Sequence, residues 1–253
     1  MEETEIDKEL FRDFLDLVHK SQEGVTKHPE FSFDKNNFHL LSPQAQYLQK
    51  VSRYKSRIYD LLDDLDKVEV FLRRFPMKKF YEDNDIDHLN YTKYHTEVFY
   101  HKISTLLDLL KLMVNEVFEA RLSERRCTWD NLNKITSIKD SAPIKIVGFF
   151  HKSFKDVIFA RNLNTHRGIF SDSKRDDLSL PLMIYKNSEK FDMDLDERYK
   201  TLMPRFILDY QIREYKKNKL NFIKQGNMVA RQYINIFMNF TLPIAVNTAK
   251  QKA

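Results

Sequence analysis

One cysteine and four glycines in 253 residues set the first limits on this chain. Cys127 alone can form neither an internal disulfide nor a cysteine-based zinc site, and it fits a reducing compartment. Four glycines leave little material for the tight turns of a many-stranded sheet. No apolar run is long enough to span a bilayer: the most apolar late stretch, INIFMNFTLPIAV, is broken by Asn235, Asn239 and Pro243. The acidic start, MEETEIDKEL, lacks the basic and apolar regions of a secretory signal. A soluble cytoplasmic protein without membrane contact is the expectation. The patterns GxxxxGK[ST], GxGxxG and HExxH are also missing, which argues against nucleotide-loop and zinc-protease chemistry. His95 and His101 flank Glu97, but Glu97 and His101 stand four apart. The Glu-x-x-His pairs of di-iron bundles need a spacing of three. No metal and no cofactor is expected, and His95 and His101 read as surface or half-buried histidines.

What is abundant is charge and helical periodicity. Charged residues make up 31% and hydrophobic residues 42% of the chain, a mixture suited to amphipathic helices. The formal net charge of +5 permits a polyanionic partner without requiring one. A first helical pattern runs from about Glu5 to Lys20, with Ile6, Leu10, Phe14 and Leu17 on one face. Gly24, Pro29 and several Asn and Asp residues then predict an extended connection to Leu41. Ser42-Pro43 opens a second helix whose apolar residues, from Val51 to Phe75, step by three and four until Pro76. A third runs from about Leu89 to Leu122 on the same rhythm.

A fourth follows Pro143 and buries Val147, Phe150, Phe154 and Val157 or Ile158, with Arg161 on the continuation of that face. Ser171 to Asp196 reads as a long loop with room for a short strand at LPLMIY. The last helix spans about Leu202 to Phe240, where the small Gly226 and Ala230 would let another helix approach closely. Its cations Arg205, Arg213, Lys216, Lys217, Lys219, Lys224 and Arg231, interleaved with Tyr210, Tyr215 and Phe222, fit either a solvated face or a track for an RNA backbone. The expected architecture is all-α: an up-and-down bundle of four to five long helices in a single domain, 1–253. Residues 1–41 would form an N-terminal appendage of helix and loop, and 42–253 the core bundle.

One segment departs from the amphipathic habit. In IFARNLNTHRGIF, Arg161, Asn162, Asn164, Thr165, His166 and Arg167 crowd together before Gly168. No acid occurs between Asp156 and Asp172, so the segment is locally cationic. A second Arg/His pair, Arg12 and His19, sits among Glu9, Asp13 and Asp16, whose carboxylates would repel a phosphate. On a continuous helix, residues five apart point about 140° away from each other. Arg161 and His166 could therefore share a site only if the helix unwinds between them or a second subunit supplies the complementary groups.

The Arg161-Asn162-x-x-x-His166 element resembles the Arg-polar-x-x-x-His signature of the HEPN superfamily of helical-bundle domains. The resemblance covers roughly Leu89 to Phe240. It implies a metal-independent endoribonuclease acting as a two-fold homodimer, with both copies of the motif lining one cleft. In that chemistry His166 would deprotonate a ribose 2'-hydroxyl, and its symmetry mate would protonate the leaving 5'-oxygen. Arg161 would meet the charge gathering on phosphorus, and Asn162 would orient the phosphate or the imidazole. Arg167, Asn164 and Thr165 would contact substrate. The resemblance also implies a toxin or defence role with a neutralising antitoxin or regulatory partner. Other members are inactive, so a non-catalytic scaffold that binds RNA or protein is the alternative. On that alternative, Arg161 and His166 would simply serve the polar end of a helix.

Overall fold

In a computed structural model of the chain, the described residues are 5–74, 79–168 and 172–252. Among them the architecture is an all-α helical bundle without strands. The helices are α1 (Lys8–Gln22), α2 (Pro43–Arg73), α3 (Lys79–Asp83), α4 (His88–Val117), α5 (Trp129–Leu132) and α6 (Thr136–Lys139). They continue as α7 (Ala142–Ser153), α8 (Lys155–Arg167), α9 (Ser173–Lys190), α10 (Glu197–Leu202) and α11 (Arg205–Lys250).

The three long helices follow the sequence rhythm closely. The Ser42 hydroxyl accepts from Ala45 N–H, and Pro43 starts α2. Val51, Ile58, Leu61, Leu65, Val68 and Leu72 are buried along its seam. Phe75 and Pro76 lie outside the described residues. In α4, Phe99, Ile103, Leu106, Leu110, Met113 and Val117 are all fully buried. This helix stops at Val117, short of Leu122, because the backbone turns left-handed at Glu119 and Arg121. The Asn115 amide closes that turn by donating to Leu122 C=O and accepting from Leu122 N–H.

Two expectations are corrected. The segment read as a loop with a possible strand is the eighteen-residue helix α9. Asp172 caps it by accepting from Arg175 N–H, and Leu178, Leu182 and Tyr185 repeat at helical spacing on its buried face. Pro181 forfeits one backbone hydrogen bond, and burial of those three side chains offsets the loss. Likewise α11 runs through Pro243 to Lys250, ten residues past Phe240, with Leu242, Ala245 and Ala249 completely buried.

The fold comprises two compact units, each assembled from separated stretches of chain. The first contains residues to Asp63, Ile103–Lys155 and the chain from Met228 onward. Within it, Phe14 of α1 is fully buried, and Asn239 of α11 bonds both Asp7 N–H and Glu5 C=O. The second contains Asp64–Lys102 and Asp156–Asn227, and therefore the RNLNTH segment. Its core joins Leu89 of α4 and Leu178, Leu182 and Tyr185 of α9 to Leu208, Ile212 and Tyr215 of α11. The close approach expected at Gly226 is present: a Cβ there would lie 2.5 Å from Phe99 Cζ.

Candidate functional site

The fourth helical pattern is broken into two helices at Phe154, which closes α7 by donating its N–H to Phe150 C=O. All of Arg161 to Arg167 therefore lies within the short helix α8. The helix ends as an αL cap: Gly168, at φ 63°, donates its N–H to Asn164 C=O at 3.0 Å. A glycine suits this position because other residues are strained at positive φ. The helix does not unwind inside the motif, so the first route to a one-protomer site is closed.

Only Val157 of α8 is buried. Arg161 and Asn164 are half-buried, while Asn162, Thr165, His166 and Arg167 are exposed. Five residues of continuous helix set Arg161 and His166 about 140° apart, whereas Asn162 and His166 lie within about 40° on one face. The long guanidinium partly closes the gap. Arg161 Nη1 donates to Asn162 Oδ1 at 3.1 Å, which swings the cation toward the side that His166 shares. Arg161 Nε is buried and meets no hydrogen-bond partner among the described residues. Asn162 is thus the middle member of a polar strip running from Arg161 to His166. The side chains of Asn164, Thr165, His166 and Arg167 make no hydrogen bond or ion pair among the described residues. Phe159 is 64% exposed and stands seven residues before His166, close to two turns, on the same face.

The acid that bounds the segment is occupied elsewhere. Asp172 accepts from Tyr215 Oη at 2.8 Å and Lys219 Nζ at 2.7 Å, besides capping α9. Burial alone would raise its pKa. The hydrogen bonds from Lys219 and Tyr215, the Lys219 charge and the Arg175 N–H together outweigh that and hold the carboxyl below the usual range. Tyr215 is pushed in the opposite direction, by burial first and then by its bond to Asp172, and stays neutral.

The other sequence candidates fall into structural roles. His19 of α1 lies 3.6 Å from Glu23, just past the helix end. His95 is buried against the rings of Tyr91 and Phe71, and burial pushes its pKa down. The Cys127 thiol is buried, donates to Lys111 C=O and is pushed up to about 11, which suppresses the thiolate. Among the described residues no group of three or more His, Cys, Asp or Glu side chains is placed to hold a metal. No helix of the described chain is long and apolar enough to cross a membrane.

The basic run of α11 is divided rather than continuous. Tyr215 and Lys219 turn inward to Asp172, and Arg205 pairs with Glu189 and Asp209. Arg213, Lys216 and Lys217 instead line a pocket with Arg73 and His88, a grouping not anticipated from sequence. Their spacing on one helical face was legible; the contribution of α2 and α4 was not. Comparison of the chain with protein-family models, curated proteins and solved structures returned no match.

Proposed function

We propose that this chain is a metal-independent endoribonuclease whose active site forms when two copies bring their α8 helices together. The observation that carries the proposal is the Arg161 Nη1–Asn162 Oδ1 contact on the face shared with His166. It sets a phosphate-binding fork and an orienting amide beside the face that carries a proton-transfer group. The reaction needs a second imidazole. His166 of one copy takes the 2'-hydroxyl proton as O2' attacks phosphorus. The P–O5' bond breaks, and His166 of the second copy protonates O5', leaving a 2',3'-cyclic phosphate and a 5'-hydroxyl. Arg161 stabilises the charge on the pentacoordinate phosphorus, and Arg167, Asn164 and Thr165 hold the flanking backbone. Exposed Phe159 offers a stacking face for a base beside the scissile phosphate. A toxin or defence role, with a neutralising partner, follows from the family resemblance.

The test uses purified protein, a labelled single-stranded RNA and excess chelator. Cleavage that persists in EDTA and falls roughly a hundred- to ten-thousand-fold in His166→Ala supports the reading. His19→Ala is the matched control and is expected to cleave normally. Sedimentation should show a dimer, and a strict monomer with or without RNA removes the composite site. A second reading is favoured by the unbroken course of α8, which separates the Arg161 and His166 positions on the helix. On that reading the module binds RNA without cutting it. RNA affinity that depends on Arg161 and Arg167, with no cleavage in any variant, would establish it.

A further inference from the structure

Within the second unit, the end of α2, the short α3 and the first half of α4 bring aromatic rings together. Tyr91, Tyr94 and His95 stand at i, i+3 and i+4 on α4 and so share one face. Phe71 comes from the last turn of α2, and Phe80 and Tyr81 from α3. The rings form one unbroken chain of contacts. Between centroids, His95 lies 4.4 Å from Tyr91, 5.5 Å from Phe71 and 5.2 Å from Tyr94. Tyr91 meets Tyr81 at 6.4 Å, and Tyr81 meets Phe80 at 5.7 Å. The Tyr91 hydroxyl donates to Phe71 C=O at 3.3 Å, which fastens α4 to the end of α2.

The centre of the cluster is closed and its margin is open. His95 is buried, and burial pushes its pKa down, so the imidazole is neutral at pH 7. At the margin, Phe71 is 51%, Phe80 69% and Tyr94 61% exposed. Among the described residues Phe80 and Tyr94 each touch a single ring, at interplanar angles of 75° and 84°. An edge-on contact covers at most one face of a ring, so each keeps a flat apolar face in water.

The charge around these rings selects the guest. From Val70 to Tyr81 the chain has no acid. Arg73 is held by Glu69 and Lys93 by Glu97, each one turn along its own helix. Arg74, three residues after Phe71, and Lys79, directly before Phe80, make no ion pair among the described residues. Asp83 stands at the far end of α3, beyond its two rings. A quaternary ammonium, a frequent guest of clustered rings, would be repelled by Arg74 and Lys79. An unpaired base with its flanking phosphates matches both features, a π-face and adjoining cations.

We propose that Phe80 and Tyr94 form a stacking platform for the bases of single-stranded RNA, with Arg74 and Lys79 holding the adjoining phosphates. Phe71, Tyr81, Tyr91 and His95 position the two exposed rings. The platform rests on RNA being the partner, as proposed above, but does not require that the RNA be cut.

The probe is an oligouridylate of about twelve nucleotides with methylated 2'-hydroxyls, which 2'-hydroxyl attack cannot cleave. Its binding to the full chain is read by fluorescence anisotropy, beside an abasic strand of the same length and charge. Wild type should bind the uridine strand more tightly than the abasic one. Phe80→Ala and Tyr94→Ala should each weaken uridine binding about fivefold to a hundredfold and leave abasic binding unchanged. Both should melt near the wild-type temperature, because the side chains removed are mainly exposed. Tyr94→Phe keeps the ring and should bind as wild type does. The combined Arg74→Gln and Lys79→Gln variant should weaken both strands alike and reduce the salt dependence of binding. Equal wild-type affinity for the two strands overturns the proposal, as does uridine binding unchanged in both alanine variants. Self-association lost in those variants, with RNA affinity intact, would assign the rings to a second copy of the chain instead. Cleavage of ordinary RNA with unchanged affinity in both variants refutes the platform alone. Uridine binding lost in them, in a protein that cuts no RNA, refutes the cleavage reading alone.

Discussion

Gly226→Ala and Gly148→Ala form a matched pair whose outcomes are expected to differ in sign. Both glycines lie inside helices, α11 and α7, where alanine is worth about 1 kcal/mol through helix propensity. Both would place a new Cβ against an aromatic ring, 2.5 Å from Phe99 Cζ and 2.6 Å from Trp129 Cη2. A comfortable carbon–carbon contact is about 3.5 Å or more, so either ring must retreat by about 1 Å. What differs is the space to retreat into. Phe99 is fully buried, with Phe222 set edge-on at 5.7 Å. Overpacking costs about 1–3 kcal/mol, and a 2.5 Å contact on a fully buried ring puts this site in the upper half of that range, about 1–2 kcal/mol beyond the propensity gain. Trp129 is 39% exposed at the first position of the four-residue helix α5, and its ring can shift outward.

Gly226→Ala is therefore expected to destabilise by about 1–2 kcal/mol, and Gly148→Ala to be neutral or stabilising by up to about 1 kcal/mol. For a chain of this size, about 1 kcal/mol moves the melting temperature by about 2–4 °C. Thermal unfolding followed by far-ultraviolet circular dichroism resolves the difference. Phe99→Leu introduced beside Gly226→Ala should recover part of the loss, because the pair shares one contact. A melting temperature unchanged or raised in Gly226→Ala would refute the close approach of α11 and α4.

Arg161→Lys keeps the charge but loses the fork that reaches Asn162; cleavage should fall more than RNA affinity, read as a split between kcat and KM. Phe159→Ala should raise KM for single-stranded RNA about fivefold to a hundredfold, from loss of one stacked base, with kcat little changed; an unchanged KM would exclude Phe159 from the substrate path. The lowered pKa of Asp172 makes its contribution to stability complete above the ordinary carboxylate pKa and lost as pH falls through the lower folded-state value. Asp172→Asn should thus be less stable at neutral pH and show a shallower loss of stability on acidification. An acid limb identical to wild type would show that this carboxylate does not report on folding.

The long helices were legible because each repeats its buried residues without interruption, as at Val51, Ile58, Leu65 and Leu72. Two stretches that contain a proline were read short of the helices they form. Pro181 and Pro243 are ordinary stop signals by local rule, yet both sit inside helices whose neighbouring apolar side chains are buried. Local propensity was overruled there by packing against residues distant in sequence, which a linear reading weighs poorly. In RNLNTH the residue types and the terminal glycine were readable, but the continuity of α8 was not. Asn162 drew attention as the polar residue after the arginine. Its position between Arg161 and His166 emerged only from the helical phase and the 3.1 Å contact.

That phase has an electrostatic consequence. A thirteen-residue helix burying only Val157 has little packing to hold it, so its ends matter more than usual. Asp156 near its start and His166 and Arg167 in its last turn suit the helix dipole, and Gly168 closes the final carbonyls. The same dipole places partial negative charge where a phosphate would bind, opposite to the arrangement at helix N-termini that favours anions. On the proposed ribonuclease reading, Arg161 and Arg167 would have to overcome that field as well as bind RNA. Replacing Arg167 would then weaken RNA binding and loosen the helix end together, by about 0.3–1 kcal/mol for the latter. Replacing Arg161, one and a half turns inside the helix, would chiefly affect binding. A loss of helical signal in Arg167→Ala but not in Arg161→Ala, read by circular dichroism beside RNA affinity, separates the two contributions. Equal helix loss in both variants would mean that Arg161 supports α8 itself and would undercut its assignment to phosphate.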